Sequence, residues 1–326
     1  SLVIAKIVQD CEKRGKRVLM VTHVKELIEQ NHEKIKLLCP DADIGIFSAG
    51  MRKKQKHNQV ICAGIQSLAK HIYSAGAFDI IICDEADKIP SRDTTQYQQL
   101  IQACRLMNPN AILLGLTATP YRLDNGYIYG TDDSIFDKVA YELPITTLLN
   151  RGYLTPIISK GSLKKIDTTN IGTKFGDFIE KELQKVCSDE ELIDSVVDEI
   201  LEYGKTRKAW LVFATGVENA HKIKDKIIER GMTSVDVVTG STNKKEREFI
   251  IERFKKGELR CLINVSALLI GFDAPICDML ALVRATGSTA LLAQCVGRIY
   301  RLHKQLDKLI AENDLSGKIL VARYEF

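Results

Sequence analysis

Two periodicities alternate along this chain. The runs RVLMVTH (17–23), QVICAGI (59–65), FDIIICDEA (78–86) and AILLGLTA (111–118) are rich in β-branched and aliphatic residues, the pattern of strands buried on both faces. Between them, VKELIEQNHEKIKLL and TTQYQQLIQACRLM carry apolar residues at helical spacing. The second half repeats the scheme, with strands in AWLVFAT, VDVVTG, RCLINVSA, DMLALVRA and KILVARY and helices in ENAHKIKDKIIER, KKEREFIIERFKK and TALLAQCVGRIYR. Such alternation predicts an α/β protein with two lobes, each a mainly parallel sheet flanked by helices. The boundaries expected are 1–124 for the first lobe and 209–326 for the second. The connector, 125–208, is irregular at first, then holds an isolated strand candidate, LTPIISKGS, and acidic helices expected to pack on the second lobe.

The length of 326 residues suits two domains that each bury a core, and 45% hydrophobic with 27% charged residues excludes a disordered or fibrous chain. No apolar run approaches the roughly 18 residues that a membrane helix needs, and no signal segment opens the chain, so a cytoplasmic protein without membrane contact is expected. Nine cysteines are scattered singly with no C-x-x-C pair, which argues against zinc and disulfide frameworks. A net charge of +4 permits nucleic-acid binding without demanding it.

Candidate chemistry begins where the strand IIIC runs into Asp84, Glu85, Ala86 and Asp87. Parallel sheets bind ligands at the carboxyl ends of their strands, and two adjacent acids there suit magnesium binding and water activation in phosphoryl transfer. A strand-ending turn with solvated acids reads the same residues equally well. The next strand ends in Thr117-Ala118-Thr119-Pro120, two hydroxyls around a turn closed by proline. Near the far end, Gln294, Arg298 and Arg301 are spaced to share one helix face, with Gly297 allowing close backbone approach. A solvated face is the alternative. The same alternative applies to the basic run Arg52-Lys53-Lys54-Gln55-Lys56-His57, expected as a solvated helix face.

Together and in this order, DEAD, TATP and Q-x-x-G-R-x-x-R on a repeated α/β plan resemble the superfamily 2 helicases and translocases. VLMVTHVKEL, VICAGIQSL, LVFATGVENA, VVTG and NVSALLIGFDAP resemble the family's further motifs in sequence order, and TATPYRLDNGYIYG with GYLTP and GDF resembles the RadD-like branch. The resemblance implies two RecA-like lobes with ATP hydrolysed between them and Mg2+ as cofactor. It makes Asp84 a magnesium ligand and Glu85 the catalytic base or water-positioning group. Thr117 and Thr119 would couple nucleotide state to motion. Gly271 and Asp273 would approach the nucleotide from the second lobe. Gln294, Arg298 and Arg301 would reach its phosphates, with Arg301 or Arg298 as the finger. Nucleic acid, DNA more than RNA, would be held through its phosphates by Thr22, His23, Gln66, Ser67, Thr215, Thr239, Gly240 and Ser266; each is also an ordinary cap or turn residue when taken singly.

The family's phosphate loop, G-x-x-x-x-G-K-[ST], does not occur. Ser1 precedes an apolar helix, LVIAKIV, of the kind that follows that loop, so Ser1 is expected to be its last residue, a further magnesium ligand, in a chain that begins inside a longer protein. On that expectation the first sheet lacks a central member. The leading function is an ATP-dependent helicase or translocase. Alternatives are the motor of a restriction or remodelling assembly, and a catalytically silent nucleic-acid clamp.

Overall fold

The computed structural model describes residues 2–90, 95–122, 126–131, 134–162, 164–174, 177–265, 272–302 and 318–322. The chain divides into two compact units, Ser1–Ala140 and Tyr141–Phe326. Among the described residues no helix is long and apolar enough to cross a membrane.

The first unit is built on β1 (Val18–Thr22), β2 (Ile44–Ser48), β3 (Lys53–Lys54), β4 (Val60–Gly64), β5 (Ile80–Asp84) and β6 (Ile112–Leu116), in the order β3-β2-β4-β1-β5-β6. All pairs are parallel except β2 with β3. Its helices are α1 (Leu2–Glu12), α2 (Lys25–Leu38), the short α3 (Ile65–Leu68) and α4 (Ile72–Ala75), and α5 (Gln96–Met107). Because successive side chains of a strand point to opposite faces, Leu19 and Val21 enter one core while Val18 and Met20 enter another beneath α1 and α2. A strand buried on both faces has no use for polar positions, which is why VLMVT contains none until its last residue. β6 forms an edge of this sheet, and its Ile112 is 55% exposed. A short ladder of β7 (Tyr121–Arg122) and β8 (Gly126–Tyr127) follows.

Two features of this unit differ from expectation. β2 is not legible as a strand, being short and interrupted by Gly45; its conformation comes from pairing Ile44–Phe47 with Val60–Ala63. A Cβ at Gly45 would lie 2.3 Å from Asn58 Oδ1, so the glycine is needed for that close approach. The basic run is not a helix face: Arg52 turns through the left-handed region (φ 54°), and Lys53–Lys54 form an exposed strand antiparallel to β2.

The second unit contains α6 (Ile145–Asn150), β9 (Ile157–Gly161), a two-stranded ladder of β10 (Thr173–Lys174) and β11 (Asp177–Phe178), α7 (Glu180–Cys187) and α8 (Glu190–Gly204). Then come β12 (Trp210–Phe213), α9 (Val217–Glu229), β13 (Val235–Val238), α10 (Lys244–Lys255), β14 (Cys261–Asn264), β15 (Met279–Leu282), α11 (Thr289–Val296) and β16 (Lys318–Ala322). The sheet order is β13-β14-β12-β15-β16-β9, parallel throughout. The strand candidate in LTPIISKGS is thus not isolated: as β9 it extends the sheet beside β16. The acidic helix α8 starts on an Asp189 cap that accepts from Leu192 N at 2.9 Å and sends Ile193, Val196, Val197 and Ile200 into the core around Trp210.

Both units fasten the foot of their central strand with the same device. Asp79, just before β5, accepts from Arg17 N at 2.9 Å, and Asp278, just before β15, accepts from Lys208 N and Ala209 N at 2.8 Å each. All nine thiols are buried. Burial pushes those of Cys62, Cys83, Cys104 and Cys295 up to about 12, which suppresses the reactive thiolate.

Candidate functional site

Parallel pairing gathers the candidate residues of the first unit at one edge. The register sets Thr22 opposite Gly64, Val21 opposite Cys83, and Asp84 opposite Leu116. The residues that follow these strand ends, His23, Gln66 and Ser67, Glu85, and Thr117 with Thr119, therefore emerge along the same rim of the sheet, where open α/β sheets bind ligands.

The acidic turn is held at both of its ends. Asp84 is half-buried; its Oδ2 accepts from Asn31 Nδ2 on α2 at 2.8 Å and its Oδ1 from Glu85 N at 3.2 Å. Glu85 is one of two described non-glycine residues at positive φ (54°), a conformation that costs on the order of 1–3 kcal/mol and persists only where its surroundings fix it. Here Lys88 N closes the turn onto Glu85 O at 3.0 Å. Asp87 is buried, pairs with Lys88 Nζ at 3.2 Å, and accepts from the Thr117 hydroxyl at 2.8 Å. Thr119 is buried, and its N–H donates to Thr117 Oγ1 at 3.0 Å. The acids after β5 and the hydroxyls after β6 thus form one bonded group.

His23 and Thr22 flank this group. Desolvation, reinforced by the Lys88 ammonium and opposed by Asp87, holds the His23 imidazole below its ordinary value. Thr22 is buried and accepts from Val24 N at 3.3 Å. Ser67 Oγ accepts from Ala49 N at 2.9 Å, tying the turn after β2 to α3, and Gln66 is exposed. Adjacent carboxylate oxygens at a strand end are hard donors, a set that suits a divalent cation such as Mg2+. Ser1 lies outside the described residues.

In the second unit the strand ends align likewise, Phe213 with Asn264 and Leu282, and Val238 with Asn264. Thr215 is fully buried and its hydroxyl donates to Val283 O at 3.0 Å. Thr239 is also buried, bonded to Ser241 Oγ at 2.8 Å, while exposed Gly240 and its neighbours are gripped from α10 by Arg247, whose Nη2 donates to Thr239 O at 3.1 Å and Gly240 O at 3.3 Å. The N–H groups of Thr215 and Thr239 are also committed inward, to Asn219 Oδ1 at 3.4 Å and Thr242 Oγ1 at 2.9 Å. Ser266 and Gly271 lie outside the described residues.

Arg298 and Arg301 do not share a helix face with Gln294. α11 ends at Val296, and beyond Gly297 the bonds tighten to Arg298 N→Cys295 O (3.2 Å) and Ile299 N→Val296 O (3.0 Å). A Cβ at Gly297 would stand 2.9 Å from Ala293 O, the carbonyl of its own last helical turn, to which Gly297 N donates at 2.8 Å. Arg301 is then drawn into an antiparallel bridge with Leu154, with Thr155 N donating to Tyr300 O at 2.9 Å. Both guanidinium groups are placed by the segment before them: Arg298 Nη1 donates to Phe272 O and Arg301 Nη1 to Asp273 Oδ1. Gln294 is partly exposed on α11. Asn31 is absent from the expected set. Its signal in the sequence is an amide on the apolar stripe of a helix, between Ile28 and Ile35.

Comparison with known proteins bears on the family and the fold. Residues 1–122 match the family described as the res subunit of type III restriction enzymes, and residues 191–303 match the helicase conserved C-terminal domain. IRC3 of Saccharomyces cerevisiae, named as a candidate ATP-dependent helicase, is 26% identical over 304 residues, covering 91% of this chain and 43% of the yeast protein. The chain thus spans less than half of that relative. Among solved structures, a fragment of a candidate HsdR subunit of a type I restriction enzyme from Vibrio vulnificus has a TM-score of 0.60 at 19% identity, over 94% of this chain and 52% of the other. The ATP-dependent Type ISP restriction-modification enzyme LlaBIII bound to DNA has a TM-score of 0.62 at 14% identity, over 98% and 25%.

Proposed function

Since the chain belongs to the superfamily 2 helicases, we propose that it is the motor of an ATP-dependent helicase or translocase that acts on nucleic acid, on DNA in preference to RNA. The observation that carries this reading is the bonded group Asp84-Glu85-Asp87 with Thr117 and Thr119 on the ligand-binding rim of the first sheet. Its likeness to restriction-type relatives supports DNA. The runs TATPYRLDNGYIYG, GYLTP and GDF support the RadD-like branch, and nine buried cysteines that form no disulfide suit a reducing, cytoplasmic setting.

In this reading Asp84 and the hydroxyl of Ser1 hold Mg2+ and Glu85 orients the attacking water. Magnesium, when bound, neutralises charge on the β- and γ-phosphates. Asp87 passes the position of the acidic turn to Thr117 through their hydrogen bond, so the turn and the TATP segment move as one. Asp273 presents Arg301 and the Phe272 carbonyl presents Arg298; a guanidinium carries five donors and can keep its protein partner while serving a phosphate oxygen. Gln294 and Gly271 complete that phosphate-facing set. Thr22, His23, Gln66, Ser67, Thr215, Thr239, Gly240 and Ser266 mark the turns that hold the nucleic-acid backbone through amides, hydroxyls and basic side chains, with little sequence preference.

The decisive experiment is Glu85→Gln in the full-length protein, followed by nucleic-acid-stimulated phosphate release and nucleotide binding. Turnover falls to background while nucleotide affinity is kept, because a water-orienting group acts on the transition state. Unchanged turnover overturns the assignment. The match of residues 1–122 to a restriction-enzyme subunit favours a second reading, a motor that moves on duplexes without separating them. A strand-displacement assay separates the two.

A further inference from the structure

α2 is an amphipathic helix whose buried positions are Ile28, Asn31 and Ile35, one stripe facing the sheet. Two of the three do what such a stripe requires. Asn31 does not: the residue is only 4% exposed, where a leucine of nearly the same shape would add apolar contact and an amide costs free energy unless it is bonded. Its bond is to Asp84. Asn31 Nδ2 donates to Asp84 Oδ2 at 2.8 Å across 53 residues of sequence, and the other oxygen, Oδ1, accepts from Glu85 N at 3.2 Å. One amide on each oxygen fixes the plane of the carboxylate and leaves lone pairs on both for a ligand.

We propose that Asn31 is a positioning residue for the metal-binding carboxylate, holding Asp84 in the orientation that receives Mg2+ through a hydrogen bond from Nδ2 to Oδ2. The proposal rests on the reading of Asp84 given above. Without the donor, the carboxylate turns about its own side-chain bonds, and each binding event must first restrict that motion. The consequence is specific. In this role Asn31 acts only through Asp84, so its loss weakens metal binding and spares the affinity for nucleotide alone. Outer-shell partners of metal ligands are worth about 10- to 100-fold in metal affinity.

The test uses the full-length protein carrying Asn31→Leu, which keeps the volume and removes the donor. Binding of a fluorescent ATP analogue is measured first without divalent metal and then along a Mg2+ titration, with folding checked by circular dichroism and thermal melting. The expected result is an unchanged metal-free affinity and a Mg2+ half-saturation raised by about 10- to 100-fold. Asn31→Ser, whose hydroxyl is too short to reach Asp84, carries the same measurement should the leucine variant fail to fold. A folded variant with the wild-type Mg2+ half-saturation overturns the role of Asn31 and leaves the reading of Asp84 standing. Nucleotide binding by the wild-type protein that does not respond to Mg2+ overturns both.

Discussion

Thr117 donates its hydroxyl to Asp87 at 2.8 Å, joining the turn after β6 to the acidic turn after β5. The two residues are 30 apart in sequence and come together because β5 and β6 are parallel neighbours in register, Asp84 beside Leu116. Asp87 is buried with Lys88 as its counter-charge, so the bond from Thr117 stabilises an anion that water reaches poorly.

Thr117→Val keeps the shape of the side chain and removes the donor. A hydrogen bond to a charged group contributes about 1.5–3 kcal/mol, so the variant is expected to lose that much unfolding free energy. Nucleic-acid-stimulated ATP turnover should fall further than stability alone explains. Chemical denaturation and turnover with intact nucleotide affinity check this, and wild-type values for both would remove the coupling role.

Arg301 is paired with Asp273, and Arg298 with the Phe272 carbonyl. Arg301→Ala, or Arg298→Ala if the roles are exchanged, is expected to lower ATPase in the full-length protein by about 10³- to 10⁵-fold, the worth of an arginine finger. Asp273→Asn should cost far less, because it loosens the guanidinium without removing it. Single-turnover measurements on the three variants decide the order, and full activity in both alanine variants would make these residues structural.

The imidazoles of His23 and His32 both titrate below their ordinary value, His23 through desolvation and Lys88, His32 through desolvation, Lys53 and Lys36. A base whose folded pKa is depressed binds fewer protons when folded than when unfolded. Stability is then fully present above the unfolded value, about 6.5, and is lost as pH falls through the folded values. Carboxylates held low by partners, such as Asp79 beside Lys16 and Arg17, lose theirs only in more acidic solution. Thermal stability should therefore decline as pH falls below about 6.5. The slope should be smaller in His23→Gln/His32→Gln; an identical slope in that double variant would exclude the histidines.

Gly204 closes α8, and a Cβ there would meet the Trp210 ring at 2.3 Å. Helix propensity alone predicts that Gly204→Ala stabilises by about 1 kcal/mol. Trp210 is 1% exposed, donates its indole N–H to Arg207 O at 3.1 Å and lies under the Arg260 guanidinium, so it cannot move aside freely. The expected outcome is a loss of about 1–3 kcal/mol from overpacking. A raised melting temperature would show that the ring yields.

The sequence by itself determined what depends on neighbours in the chain. The continuous apolar runs around Leu19, Ile82, Leu211 and Leu280 are strands buried on both faces, and the order of strands and helices leads to two mainly parallel sheets. DEAD, TATP and the glutamine-to-arginine run were legible because their residue types and spacing are local. Tertiary structure decided the rest. Ile44–Ser48 and Ile157–Gly161 become sheet strands through partners far along the chain, β4 and β16, and their own composition is too short or too mixed to declare it. Arg301 leaves the expected helix because Gly297 loosens its end and Leu154 offers a backbone partner. Asn31 reads locally as one amide in a helix, and its meaning lies in Asp84, 53 residues away. A hydrogen bond between distant residues leaves no periodic trace in a sequence; only the parallel sheet and the helix laid across it bring donor and acceptor within 2.8 Å.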